Sequence, residues 1–153
     1  MIETSPHLDL DGPGYRAMAA FSRATHELPL DPLLRELIRV RASMLNGCAY
    51  CVDMHTKDAR AQGETEQRLY AVATWHEAPF FSPAERAALA LTDALTQLPG
   101  NPLPDAVLAE AEAELGKEGL AAATWIAITI NAWNRVAIAG HELAGEYEPS
   151  AAA

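Results

Sequence analysis

Only two cysteines occur in 153 residues, and they stand three positions apart. A secreted disulfide scaffold carries more of them, spread so as to close long loops, so that class is excluded. Basic residues are also scarce: 11 Lys and Arg face 21 Asp and Glu, for a net charge of -10. A surface this acidic repels phosphate backbones and anionic lipid, which argues against nucleic-acid or membrane-surface partners. Aromatics make up 7% of the chain, and β-branched residues are sparse. No strand-like alternation of useful length appears. The first residues, Met1 to Pro6, lack a basic segment followed by an apolar run, so no secretory signal is read and a cytoplasmic setting is expected.

What remains is a helical text rich in Ala and Leu, half of it hydrophobic and long enough to bury a core as a single domain, 1–153. Residues 1–13 read as an irregular lead-in, and a helix follows from Gly14 to about Leu28. Asp31-Pro32 opens another helix, with Asp as cap and Pro at the first helical position, and Asn46-Gly47 ends it. The segment from about Cys48 to Gln62 closes at Gly63. Thr65 caps a short helix reaching about Trp75, and Ser82-Pro83-Ala84-Glu85 is a capping box for a helix to about Gln97. A Pro- and Gly-rich loop over 98–104 precedes a helix to about Leu115. The last helix runs from about Glu118 to Ala139, and the tail from Glu146 is expected to fray. The expectation is an all-α bundle of about seven helices, with its core over about 15–139.

The last helix carries one charge, Arg135, between Leu120 and Ala139. Its length approaches a bilayer span, but Thr124, Thr129, Asn131 and Asn134 interrupt it, and a buried central helix is the better reading. Asn131, Asn134 and Arg135 share one side of that helix and are expected to bond neighbouring helices or subunits, with lining of the active pocket as the lesser alternative. Trp75, Trp125 and Trp133 read as core or interface. Phe80 and Phe81 suit a hydrophobic staple or a pocket wall.

The chemistry concentrates in Cys48-Ala49-Tyr50-Cys51-Val52-Asp53-Met54-His55. With a helix starting at Cys48, both sulfurs lie on one face, within reach of a disulfide across one turn. Both feel the positive end of the helix dipole, which favours a thiolate. His55 stands four residues after Cys51, where its imidazole can serve that sulfur as base. A reactive thiolate needs a proton acceptor, and a second thiol then resolves the oxidised sulfur. Glu36 lies at the edge of an apolar arc on the preceding helix, on the stripe with Val40 and Ser43 that runs toward Gly47. An edge glutamate is ordinarily solvated, but this one can also approach the cysteine loop as a proton relay to His55. Arg41 falls within the arc and calls for a buried or interface salt bridge.

Other readings of the pair are weaker. A structural zinc site wants four ligands; CxxC supplies two, and His7, His26, His76 and His141 are scattered. A purely structural disulfide would close a tiny loop and stabilise little. A Cys–His hydrolase leaves the second cysteine without a task.

The stretch from Leu34 to His55, together with Ile130-Asn131-Ala132-Trp133-Asn134-Arg135, resembles the carboxymuconolactone decarboxylase-like, or alkylhydroperoxidase AhpD-like, family. The shared pattern is a glutamate twelve residues before a CxxC, with a histidine four after. The resemblance implies an AhpD-like helical subunit assembling into trimers or hexamers. It implies reduction of a small hydroperoxide without metal, haem or flavin, the electrons coming from an external dithiol or thiol-protein donor. Within it Cys48 and Cys51 take the redox pair, His55 the partner of Cys51, and Glu36 the proton relay. Tyr50 departs from the pattern, standing where well-studied alkylhydroperoxidases carry a histidine. Two further functions stay open at this point: acid–base chemistry on a lactone acid by His55 and Glu36, and a non-catalytic redox sensor.

Overall fold

The computed structural model describes residue 10 and residues 12–149. The reading of the first residues as a lead-in without a signal falls largely outside them. Six α-helices follow one another: α1 (Pro13–His26), α2 (Pro32–Asn46), α3 (Ala49–Ala61), α4 (Glu66–Ala71), α5 (Pro83–Thr96) and α6 (Asp105–Gly140). A 3-10 turn, Val72–Thr74, extends α4. No strand occurs among the described residues, so the class is all-α as expected. The count is six α-helices rather than about seven. The expected stop at Gly116 is present as a single residue of non-helical backbone (φ 71°, ψ 171°), and the hydrogen-bonded spiral resumes directly, joining two helices into α6. Glycine tolerates that positive φ without the Cβ clash another residue would meet.

Helix α2 is the hub, packing against α3, α5 and α6. Its start is set by Asp31, whose carboxylate accepts from the Leu34 N–H at 3.0 Å, with Pro32 in the first turn. Leu37, Ile38 and Val40 are wholly buried, each contributing about 1.5–3 kcal/mol of hydrophobic stabilisation. Every residue from Leu34 to Ser43 is buried, including three arginines and a glutamate. Such charges stay buried only when paired. Arg35 donates to the Leu28 and Leu30 carbonyls. Arg41 makes the salt bridge expected of it: a two-pronged contact with Asp93 of α5 at 2.6 and 2.8 Å, plus the Ala73 carbonyl at 3.1 Å. Arg39 pairs with Glu36.

The junction of α2 and α3 positions the cysteines. Gly47 takes the left-handed conformation (φ 68°), and the Cys48 N–H returns to the Ser43 carbonyl at 3.0 Å, closing α2 in a Schellman-type turn. Cys48 is at once the N-cap of α3, its Sγ accepting from the Cys51 N–H at 3.3 Å. Two residues, Gly47 and Cys48, thus separate the helices, which leaves Cys48 little freedom.

At the other end, α6 lays Asn131 and Asn134 against this junction. Asn46 donates to both side-chain oxygens at 2.9 Å, Asn134 donates to Ser43 Oγ at 3.0 Å, and Asn131 donates to Thr96 Oγ1 at 2.9 Å. These are the expected interhelical bonds. Arg135 bonds within its own helix, to Asn131. Trp75 and Phe81 are buried in the core, whereas Phe80 is exposed and Trp125 remains 48% exposed on α6. The tail from Glu146, expected to fray, is held against α3 as far as it is described. Among the described residues no helix is long and apolar enough to cross a membrane.

Candidate active site

All four residues singled out in the sequence are buried at one place, between the α2–α3 junction and the second half of α6. Cys48 and Cys51 are both free thiols, each 2% exposed. Cys51 and His55 line one cavity of about 420 Å³, whose walls mix aromatic and apolar side chains (Tyr15, Tyr50, Trp133 and Tyr147 among them) with the charged Arg39, Asp58 and Glu142. Tyr50 thus faces the cavity, and burial raises its phenol pKa, so it is a neutral hydroxyl near neutral pH.

Glu36 reaches the histidine directly. His55 Nδ1 lies 2.9 Å from Glu36 Oε2, and Arg39 Nη1 lies 2.5 Å from Glu36 Oε1. Glu36 is 3% exposed rather than solvated as an edge glutamate ordinarily is, because His55 of α3 packs on it from a side that a single-helix wheel does not represent. Burial by itself would raise the Glu36 carboxyl, but the bond from His55 and the charge of Arg39 outweigh it and hold the carboxyl below the usual range. Glu36 is therefore a carboxylate, and the acceptor it offers assigns the proton of neutral His55 to Nδ1. The other ring nitrogen keeps its lone pair, the arrangement a general base requires.

Cys51 behaves differently from the sequence expectation. A helix start favours thiolate, yet the Cys51 thiol is pushed well above its ordinary range. Burial is the main cause, with the hydrogen bond between Cys51 and Cys48 adding to it; a hydrogen bond from Asn134 acts in the opposite sense. Desolvation outweighs the helix dipole at this position. Cys51 at rest is thus a thiol, and its backbone N–H donates to Cys48 Sγ at 3.3 Å. Asn134 is wholly buried; the sequence favoured interhelical bonding for it, with pocket lining as the lesser alternative.

Three further residues escaped the sequence reading. Arg39 is one helical turn after Glu36, a spacing that signals an ion pair. His26 lies 3.4 Å from Arg39 and lines the cavity from α1. Asp58, one turn beyond His55, accepts from the Tyr147 hydroxyl at 2.7 Å.

Glu36, His55 and Asp58 each bring a ligand atom within 4.8 Å of the others, the spacing a cation would use. The oxygens are already engaged, however: Arg39 neutralises Glu36, and Tyr147 donates to Asp58. A cation bound there would compete with the contact between His55 and Glu36 Oε2 and with the Tyr147 bond to Asp58.

Residues 13–94 match the family model for the carboxymuconolactone decarboxylase family. The uncharacterized protein YdfG of Bacillus subtilis strain 168 is 37% identical over 139 residues, spanning 91% of this chain and 95% of that protein. Among solved structures, a protein of unknown function from Agrobacterium tumefaciens, provisionally assigned as the antioxidant defence protein AhpD, superposes with a TM-score of 0.88. It is 29% identical, over 94% of this chain and all of that one. An uncharacterized peroxidase-related protein with an alkylhydroperoxidase AhpD core, from Ralstonia eutropha JMP134, shares the fold (TM-score 0.76, 23% identity, 86% of this chain and 70% of that one). The chain belongs to the carboxymuconolactone decarboxylase family, in its AhpD-like, CxxC-containing branch.

Proposed function

We propose that the protein is a thiol-dependent hydroperoxide reductase, with Cys48 and Cys51 as the redox pair and His55 and Glu36 as the proton relay. The observation that carries this reading is the continuous line from Arg39 through Glu36 to His55, ending in the cavity that Cys51 also lines. In the proposed cycle His55 takes the Cys51 proton as the sulfur attacks the terminal oxygen of R–OOH. The O–O bond breaks, and the leaving alkoxide takes a proton from the His55 imidazolium to depart as alcohol. Cys51 is left as a sulfenic acid, oxidised by two electrons. The Cys48 thiol displaces its hydroxyl as water, forming the disulfide. An external dithiol, or a thiol protein, then returns both sulfurs to thiols.

The charge arrangement supports each step. Glu36 stabilises the imidazolium that forms transiently, and Arg39 keeps Glu36 ionised without taking part in proton transfer. Cys48, at the N-cap, is the resolving sulfur and the one closer to the helix end from which a reductant would approach. No bound metal, haem or flavin is invoked. Lactone chemistry, the reaction in the family's name, would use His55 and Glu36 but leave two buried thiols idle. Assembly into a trimer or hexamer belongs to the same proposal; Trp125 and Ile128, one turn apart on α6 and 48% and 41% exposed, are apolar surface suited to a subunit contact.

His55→Ala tests the relay. Without the base, turnover of cumene hydroperoxide by a dithiol donor is expected to fall by about 10²-fold at pH 7. Because the Cys51 pKa is raised, its thiolate fraction climbs about tenfold per pH unit through the neutral range. The His55→Ala deficit should therefore narrow between pH 7 and 9 as ionisation replaces the missing base. A deficit that stays constant with pH would separate His55 from the Cys51 proton.

A further inference from the structure

The segment after α6 folds back over α3. The Gly145 N–H donates to Asp53 Oδ2 at 3.0 Å. Lys57 Nζ bridges Asp53 at 3.1 Å and the Tyr147 carbonyl at 2.7 Å. The Tyr147 hydroxyl donates to Asp58 at 2.7 Å. Asp53, Lys57 and Asp58 all belong to α3, so the helix that carries Cys51 and His55 also clasps this strap. Tyr147 lines the cavity they share, as do Tyr15 and Trp133, which meet edge to face at 5.2 Å. The strap lies outside residues 13–94, the part of the chain that the family model matches.

We propose that Tyr147 is a specificity-determining residue of the Cys51 cavity: its ring, fixed by Asp58 and by the Lys57 clasp, is the wall that limits how bulky a molecule can be and still reach the sulfur. The inference rests on the reading of Cys51 as the reacting cysteine. Three polar contacts to one helix are more than a loose tail would retain, and an aromatic ring held by its hydroxyl is a rigid boundary. Small hydroperoxides then pass, while those with large substituents are discriminated by shape. A pocket wall of one side chain sets selectivity of about 10–200-fold.

The test uses the reduced full-length protein and two alkylating reagents, iodoacetamide and the bulky N-(1-pyrenyl)maleimide, with the rate at Cys51 followed by peptide mapping. Tyr147→Ala is expected to raise the ratio of bulky to small reagent by at least about tenfold. Tyr147→Phe, which keeps the ring but loses its bond to Asp58, should give a ratio between those of the wild type and Tyr147→Ala. Lys57→Met, which releases the strap without touching the ring, should shift the ratio in the same direction as Tyr147→Ala, and it carries the test should Tyr147→Ala fail to fold. An unchanged ratio in Lys57→Met, or an equal rise for both reagents, overturns the proposal and leaves the strap a structural element. The readout is independent of peroxide turnover: a shifted ratio in a protein that consumes no hydroperoxide would preserve the wall and remove the peroxidase.

Discussion

Cys51→Ser is expected to lower dithiol-dependent hydroperoxide turnover by at least about 10³-fold, the scale on which losing a nucleophile acts. A serine hydroxyl is not oxidised by peroxide and has no route to a disulfide, so nothing replaces the first step. The partner substitution, Cys48→Ser, should behave differently. Cys51 and His55 are intact in that variant, so one equivalent of hydroperoxide is reduced rapidly. The sulfenic acid then has no neighbouring thiol to condense with. A single burst followed by slow turnover identifies Cys48 as the resolving sulfur. A burst in Cys51→Ser and none in Cys48→Ser would reverse the order of attack.

Asp93→Ala should have the largest effect on stability. Asp93 holds Arg41 with two oxygens and accepts from the Trp75 indole at 3.1 Å, tying α2, the turn after α4 and α5 together. Arg41 is only 9% exposed, so losing its counter-ion leaves a buried guanidinium with backbone carbonyls alone. Breaking such a pair costs about 3–5 kcal/mol, mostly as the penalty of the stranded charge. For a domain of this size that corresponds to a fall of roughly 10 °C in melting temperature. The double variant Arg41→Met/Asp93→Leu should recover most of the loss, because it removes the stranded charge along with the pair. A cost below about 1 kcal/mol for Asp93→Ala, measured by denaturant unfolding, would mean that water reaches Arg41.

How much of this was legible in the sequence depended on distance along the chain. Cys48, Cys51 and His55 are related by three- and four-residue spacings on one helix, and helical geometry alone brings them to one face. The cap at Asp31 and the turn at Gly47 were equally local, which is why the α2–α3 junction was readable. Glu36 was placed on the right stripe, but its burial was not, since the cover over that edge comes from His55 of α3, 19 residues away. Arg41 announced itself as a misfit in an apolar arc, while its partner Asp93, 52 residues away, did not. Asn134 carried an interhelical signal without the contact to Cys51. Tyr147 and Asp58 meet across 89 residues with no local pattern to betray them. The cysteine reactivity was misjudged in sign at Cys51: the helix start is visible in sequence, whereas the desolvation that outweighs it is a property of the packed core.

The most direct measurement is a single-turnover titration of the reduced protein with hydroperoxide in the absence of any donor, counting free thiols and recording the intact mass. One equivalent of hydroperoxide should consume both Cys48 and Cys51 thiols, lower the mass by two hydrogens and release one equivalent of alcohol. Addition of a dithiol should restore both. Thiols that persist while hydroperoxide remains unconsumed, or oxidation that adds oxygen without ever forming the Cys48–Cys51 disulfide, would contradict the dithiol mechanism.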